Sequence, residues 1–274
     1  MYKIERLSQR SYAISEDYNS AHTVRMGLVV GDETAALIDT GTGIGNLTAV
    51  VREITSLPTH VYNTHWHMDH IGANGQFDRC YISHIDGKHW KAQQAQGKVC
   101  LKTKNQREQY IRDVTEHDEN RMNMLLKSLN DDLPFQAACI GEEDTINLGG
   151  IKLRPIYLPG HTAGSMVFIN DEESIAFVGD AILMRVWLHI DPTTTVKAYY
   201  ESLQRYQELT CGINRIIPAH QYDIFAENDV AELCICAQEI LHGAQGVPFT
   251  RHGMQGQIHQ YGSKYIVFSN DRIS

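Results

Sequence analysis

The sequence predicts an α+β fold built from two halves, each mixing strands with helices. Three observations carry this. Short apolar runs broken by turn residues fill positions 2–38 and return at 151–179. Segments with apolar residues at helical spacing stand between and after them. No Pro-, Gly- or Ser-rich linker parts the halves, so residues 1–274 read as layers of a single domain.

Residues 2–38 read as a short antiparallel set, in which SYAIS, TVRMGLVVG and TAALID are separated by Asp-Tyr-Asn-Ser and Gly-Asp-Glu. Asp39-Thr40-Gly41-Thr42-Gly43 closes the last of these strands. A helix is predicted from about Asn46 to Ser56, with Leu47, Val50, Val51 and Ile54 on one face and Pro58 as its stop. His60–Asn63 and Cys80–Ile85 read as strands, and Ile71-Gly72-Ala73-Asn74-Gly75 as a tight turn into a helix. From Asp86 to Asn147 the chain turns polar, with Ile111, Val114, Met122, Leu125 and Leu129 at helical spacing, so two or three amphipathic helices are expected. Strands return in IKLRPIYLP, SMVFIN and ESIAFVG. A helix follows from Val196 to Leu209, capped by Thr195, with Val196, Tyr199, Leu203 and Tyr206 buried. Arg215–Pro218 is a strand, Asp229–His242 a helix, and Gln260–Ser269 an edge strand.

The bulk numbers exclude several classes. Hydrophobic residues make up 42% and charged residues 21%, ordinary for a globular chain with a core. A net charge of −9 and a pI near 5.8 argue against a nucleic-acid partner, which would need a basic stripe. The stretch MYKIERLSQRSYAISEDYN holds no apolar run of signal-peptide length, and no run is long enough to span a bilayer. A cytoplasmic protein without membrane partners is the expectation, and its six scattered cysteines are expected to be reduced and buried.

The chemistry lies in NTHWHMDHIG, residues 63–72. In an extended loop, His65 and His67 can point the same way and grip one ion. Asp69 and His70 stand where the chain must turn and can face a second ion. Four such groups in six residues exceed what one tetrahedral metal conveniently takes from a single loop. Three later segments end apolar strands in further ligand types: LPGHTAGS with His161, AFVGD with Asp180, and IIPAH with His220. Strand ends are where a rigid scaffold presents side chains to a shared mouth.

HWHMDH, PGHTAGS, VGDA and PAH, in this order and after the strand ALIDTGTG, resemble the metallo-β-lactamase superfamily over about residues 20–225. The resemblance implies a four-layer αβ/βα sandwich with a helical insertion around 86–147. It implies one ion on His65, His67 and His161, a second on Asp69, His70 and His220, and Asp180 bridging both. Asp69 and Asp180 are then the catalytic carboxylates. Seven groups suit two divalent ions, and nitrogen-rich ligands suit Zn2+, with Fe or Mn also compatible. A hydroxide bridging two cations is a nucleophile at neutral pH. The implied activity is hydrolysis of a small ester, thioester, lactone or amide.

Departures from known branches narrow this. The commonest zinc β-lactamases carry cysteine where Asp180 stands and lack the histidine at position 70. Hydroxyacylglutathione hydrolases share the seven-ligand pattern but add C-terminal basic residues, where the stretch HGAQGVPFTRHGMQGQIHQYG of this chain has Arg251 alone. Acyl-homoserine-lactone lactonases place tyrosine where Leu183 stands. Persulfide dioxygenases, which hold one iron on two histidines and the aspartate, supply the alternative: an iron oxidoreductase. Arg185 and His189, in a loop after Asp180, and Tyr222, two residues past His220, are the candidate substrate contacts. Asp39 is expected to brace the ligand loop. His22, His60, His84, His89, His117, His242, His252 and His259 read as surface or structural. His70 and His161 lie 91 positions apart (161 − 70), more than strands and short loops use, so the helices between form a lid or wall, or a homodimer contact.

Overall fold

A computed structural model describes residues 2–19, 22–95, 104–115, 118–129, 131, 134–188, 193–251 and 254–274. The chain divides into two compact units, Met1–Ile140 with Ile146–Leu153, and Gly141–Thr145 with Arg154–Ser274.

The first unit is built on a seven-stranded sheet in sequence order: β1 (Tyr2–Arg6), β2 (Ser11–Asn19), β3 (His22–Val30), β4 (Ala35–Ile38), β5 (Thr59–Tyr62), β6 (Cys80–Ser83) and β7 (Ala137–Ile140). The first four strands pair antiparallel, as the turn chemistry predicts. From β4 to β7 the pairing is parallel, so each connection must cross back over the sheet. Helix α1 (Leu47–Ile54) makes the first crossing. Asn46 caps it by accepting from the Ala49 amide at 3.0 Å. Leu47 and Val51 are buried against Met26, Leu28, Leu37 and Val61. Full burial of each such side chain contributes about 1.5–3 kcal/mol.

The HWHMDH loop itself winds into a single helical turn, α2 (Met68–Ile71). The helix predicted after Gly75 does not form. Only a short 3-10 turn, Asn74–Gln76, follows before β6, because Asn74 is held by side-chain hydrogen bonds beneath the ligand loop. The polar segment forms α3 (His84–Ala95), α4 (Lys104–Val114) and α5 (Glu119–Lys127), and then returns to the sheet as β7. Ile111 of α4 and Leu125 of α5 are fully buried against Ile44, from the loop after β4. The Arg107 guanidinium, also buried, donates to the Gly43 carbonyl in that loop at 2.9 Å. The helical segment is thus docked onto the loop that follows β4. A two-stranded ribbon of β8 (Ile146–Asn147) and the start of β9 (Lys152–Tyr157) completes this unit.

In the second unit β9 continues into an antiparallel pairing with β10 (Met166–Asn170), which pairs with β11 (Ile175–Gly179). β11 pairs in parallel with β13 (Arg215–Pro218). Every residue of β10 and β11 is buried, which explains their continuous apolar runs. Helix α6 (Val196–Leu209) buries the four side chains predicted for it, and Thr195 caps it by accepting from the Ala198 amide. Helix α7 (Glu227–Leu241) packs in the same core.

A second sheet of this unit departs from expectation. Arg185 lies in a strand rather than a loop, β12 (Arg185–Leu188), and the C-terminal region supplies three strands, β14 (Val247–Arg251), β15 (Met254–Tyr261) and β16 (Lys264–Phe268). Their order is β12-β16-β15-β14, so the segment predicted as one edge strand spans the turn of a hairpin whose two arms are both interior to the sheet. Gly262 makes the turn at φ +56°, and Ile266 and Phe268 are buried on the core side. Among the described cysteines, Cys80 and Cys236 are buried, but Cys139 and Cys211 are exposed, against the expectation that all would be buried. No helix among the described residues is long and apolar enough to cross a membrane.

Candidate metal centre

In the first unit, the ends of β4 and β5 bring Asp39 beside the loop 63–72. Asp39 adopts a left-handed backbone, φ 62°, and its carboxylate turns into the loop. Oδ1 accepts from the Thr64 amide at 2.8 Å, and Oδ2 accepts from the Thr64 hydroxyl at 2.6 Å and from His70 Nδ1 at 2.8 Å. Asp39 is 1% exposed and His70 0%. Because the Thr64 hydroxyl spends its proton on Asp39, its oxygen can only accept from His65 Nδ1, 3.1 Å away. Both histidines therefore carry their proton on Nδ1, and Nε2 is the nitrogen that could hold a metal.

Three buried residues strap the loop from below. Asn74 donates to Asn63 Oδ1 at 2.8 Å, and Asn63 donates to the His70 carbonyl at 3.1 Å. The Thr40 amide donates to that carbonyl as well, at 2.8 Å, and the Thr40 hydroxyl donates to Asn74 Oδ1. Gly43 and Gly72 meet back to back. A Cβ on Gly72 would lie 2.2 Å from the Thr42 carbonyl carbon, and Gly43 has φ +77°. The result is a rigid cluster: the His65 ring centroid is 4.0 Å from that of His70 and 4.7 Å from that of His67. Asp69 Oδ2 stands 3.9 Å from His70 Nε2 on a side chain 42% exposed. The first unit thus brings together all four candidates of its loop.

The second unit brings together the other three. His161 follows Gly160, where a Cβ would lie 2.2 Å from Cδ2 of the buried Tyr199. The Gly160 carbonyl accepts from the Thr193 hydroxyl and the Thr194 amide, which holds the turn. His161 Nδ1 donates to the Trp187 carbonyl at 2.9 Å, so here too Nε2 is the nitrogen that could hold a metal. Asp180 leaves β11 just after Gly179, and the Ala219 amide donates to the Gly179 carbonyl, setting His220 beside it. Asp180 Oδ2 lies 3.5 Å from His161 Nε2, and Oδ1 lies 3.2 Å from His220 Nε2. Two donors on one tetrahedral ion at about 2.0–2.1 Å each stand about 3.3 Å apart, so both spacings fit shared coordination. Each oxygen of one carboxylate faces a different histidine, the arrangement a bridging ligand needs.

Of the candidate substrate contacts, Arg185 lies half-buried on β12 and Tyr222 is 45% exposed after His220. His189 lies outside the described residues. Sequence reasoning did not single out Thr40, Asn63, Thr64, Asn74 or Trp187, which orient the histidines. Thr64 and Asn63 sit beside the motif, but Trp187 acts through its backbone carbonyl and leaves no side-chain signal.

Comparison with known proteins shows the family and the fold. The family description "Metallo-beta-lactamase superfamily" matches residues 21–220. Acyl-coenzyme A thioesterase MBLAC2 of Homo sapiens is 24% identical over 217 residues, covering 74% of this chain and 75% of that protein. The mitochondrial persulfide dioxygenase ETHE1 of Mus musculus is 35% identical over 94 residues, covering 34% and 37%. A hydroxyacylglutathione hydrolase of Hyphomonas neptunium is 26% identical over 168 residues, covering 60% and 48%. Among solved structures, DIM-1 metallo-beta-lactamase exposed to ceftazidime superposes with a TM-score of 0.61 at 14% identity, covering 87% of this chain and 97% of that one. That likeness shows the fold expected from the sequence. With the family match spanning well over half its length, the chain belongs to the metallo-β-lactamase superfamily.

Proposed function

We propose that this protein is a metal-dependent hydrolase of small acyl substrates, thioesters first among them, using two divalent ions. The observation that carries the reading is the Asp180 carboxylate, with one oxygen toward His161 and the other toward His220. A carboxylate in that position would be able to serve two ions. His65, His67 and His161 would hold the first ion, and Asp69, His70 and His220 the second, with Asp180 shared. Such a pair supplies a water acidic enough to react at neutral pH and positive charge for a developing oxyanion.

The chain's own groups do the positioning. Asp39, Thr64 and the Trp187 carbonyl fix the histidine tautomers before any ion arrives. Asp69, whose side chain is partly exposed, would accept and return a proton. Zn2+ suits this nitrogen-rich set, with Fe or Mn as alternatives. Thioesters are favoured over other acyl groups because the relatives matched over most of this chain are named acyl-coenzyme A thioesterases. Helices α4 and α5 form a wall of the site. In support, burial, followed by the charges of Asp69 and Glu16, pushes the Tyr110 phenol on α4 up from its usual range. We read the protein as cytoplasmic, and gel filtration tests whether copies pair.

A second reading, an iron persulfide dioxygenase, is favoured by the 35% identity to ETHE1 over 94 residues. Elemental analysis of purified protein separates the two, followed by a panel of thioester, ester, lactone and phosphodiester substrates. Two zinc ions per chain with thioester turnover is the expected result. One iron per chain with oxygen consumption on glutathione persulfide overturns it.

A further inference from the structure

Arg185 is set apart from its neighbours by what surrounds it. Arg154 and Arg205, in the same unit, are each forked onto a carboxylate: Arg154 donates twice to Asp171, and Arg205 twice to Glu142. Arg185 has no carboxylate partner among the described residues. Its guanidinium carbon lies 5.7 Å from the Phe249 ring centroid and 5.6 Å from that of Tyr265. Aromatic faces at that range hold the cation by its charge while leaving its N–H edge uncommitted. Its Nε is closed off from solvent, yet makes no hydrogen bond among the described residues. A buried donor left unmatched costs about 1–3 kcal/mol, so an acceptor brought by a bound molecule would be stabilised there.

The position of Arg185 says which molecule brings that acceptor. Met184, the preceding residue, donates its amide to Gln221 Oε1 at 3.1 Å, and Gln221 directly follows His220. Trp187, two residues on and therefore on the same face of β12, accepts from His161 Nδ1. The Trp187 ring packs edge-on to Phe249 at 5.4 Å, so the aromatic frame around Arg185 is continuous with the residue that orients His161. Arg185 therefore stands on a strand pinned at both ends to ligand-bearing segments.

We propose that Arg185, held between Phe249 and Tyr265, is the anion-recognition residue of the substrate site. The substrate is then an acyl thioester whose thiol carrier is itself anionic, through phosphate or carboxylate. This deepens the thioester reading above and rests on it. The guanidinium supplies paired N–H donors to such a group, and the rings limit the entropy lost on engagement.

The test compares one acyl group on three thiols in the metal-loaded protein: coenzyme A (phosphates), glutathione (carboxylates) and N-acetylcysteamine (uncharged). Wild type is expected to favour one charged carrier, which identifies the anion. In Arg185→Gln the charged-to-neutral ratio of kcat/KM should fall about ten- to a hundredfold, mostly through KM, the scale of one charge-assisted hydrogen bond. Arg185→Lys should retain a larger part of the ratio. An unchanged ratio in Arg185→Gln, or equal loss on charged and neutral thioesters, overturns the proposal and leaves Arg185 a strand-packing residue.

A binding arm needs no turnover. S-methyl coenzyme A and S-methyl glutathione, both thioethers, are titrated calorimetrically into wild type and Arg185→Gln. At least tenfold weaker binding of the preferred thioether by the variant supports the anion site, even if no thioester is hydrolysed and the hydrolase reading falls. Equal binding by both proteins, or binding by neither, overturns it while leaving hydrolysis to stand or fall on the turnover data.

Discussion

His70 Nδ1 donates to Asp39 Oδ2 across 2.8 Å, with both side chains buried. The same carboxylate takes the Thr64 amide and hydroxyl, so one residue sets the tautomers of both His65 and His70. Asp39→Asn keeps the shape but replaces an acceptor oxygen with a donor. Metal affinity is expected to fall about 10–100-fold, the usual cost of losing such an outer partner. Competition with a chelator of known affinity measures it. Unchanged affinity would show that Asp39 merely packs.

Asp180→Ala should remove most activity together with one ion per chain, because both oxygens of this carboxylate face histidines. Elemental analysis beside a rate measurement checks both at once. A variant that keeps two ions and its turnover refutes the bridging role.

Gly160 leaves no room for a methyl group. The added carbon of Gly160→Ala would sit 2.2 Å from the Tyr199 ring, and that ring is fixed by its hydroxyl, which donates to the Ala181 carbonyl at 2.7 Å. Overpacking of this kind costs about 1–3 kcal/mol. The denaturation midpoint should fall accordingly, and His161, the next residue, should be displaced. A variant as stable and as active as wild type would mean the turn relaxes freely.

If α4 is a wall of the site, Tyr110→Ala should change the order of preference among acyl chain lengths and leave metal content intact. Deleting the whole segment would be a poorer test, since β7 pairs with β6 and belongs to the sheet. Tyr110→Ala with an unaltered substrate profile would assign the insert a purely structural part.

Alkaline stability follows from the buried thiols. Burial pushes Cys80 up from 9.0 to about 12, and Cys236 likewise to about 12. The unfolded chain releases these protons near pH 9, whereas the folded chain holds them until about pH 12. Stability is therefore full below pH 9 and declines as the pH rises between the two values. Melting temperature followed from pH 8 to 11 should fall, and Cys80→Ala should flatten part of that slope. A slope identical in the variant would place the effect elsewhere.

Much of the fold was legible in the pattern of residues. Leu47 and Val51 announce α1, Thr195 announces the start of α6, and the unbroken apolar runs of β10 and β11 match strands buried on both faces. These signals are local: capping, spacing and turn chemistry act within a few residues. Arg185–Leu188 was not legible as a strand, nor Lys264–Phe268 as a central one. Only their mutual register, Arg185 opposite Tyr265 through Leu188 opposite Phe268, makes them so.

For the site, the sequence by itself determined the donor types and their stations, each at the end of a strand or in the loop that follows one. Spacing and side-chain chemistry are written in the chain and survive without coordinates. Tertiary structure alone decided which nitrogen of His65, His70 and His161 holds its proton, and that Arg185 lies between two aromatic rings. Those outcomes depend on Asp39, the Trp187 carbonyl, Phe249 and Tyr265, groups that become neighbours only when segments up to 80 residues apart (265 − 185) are packed together.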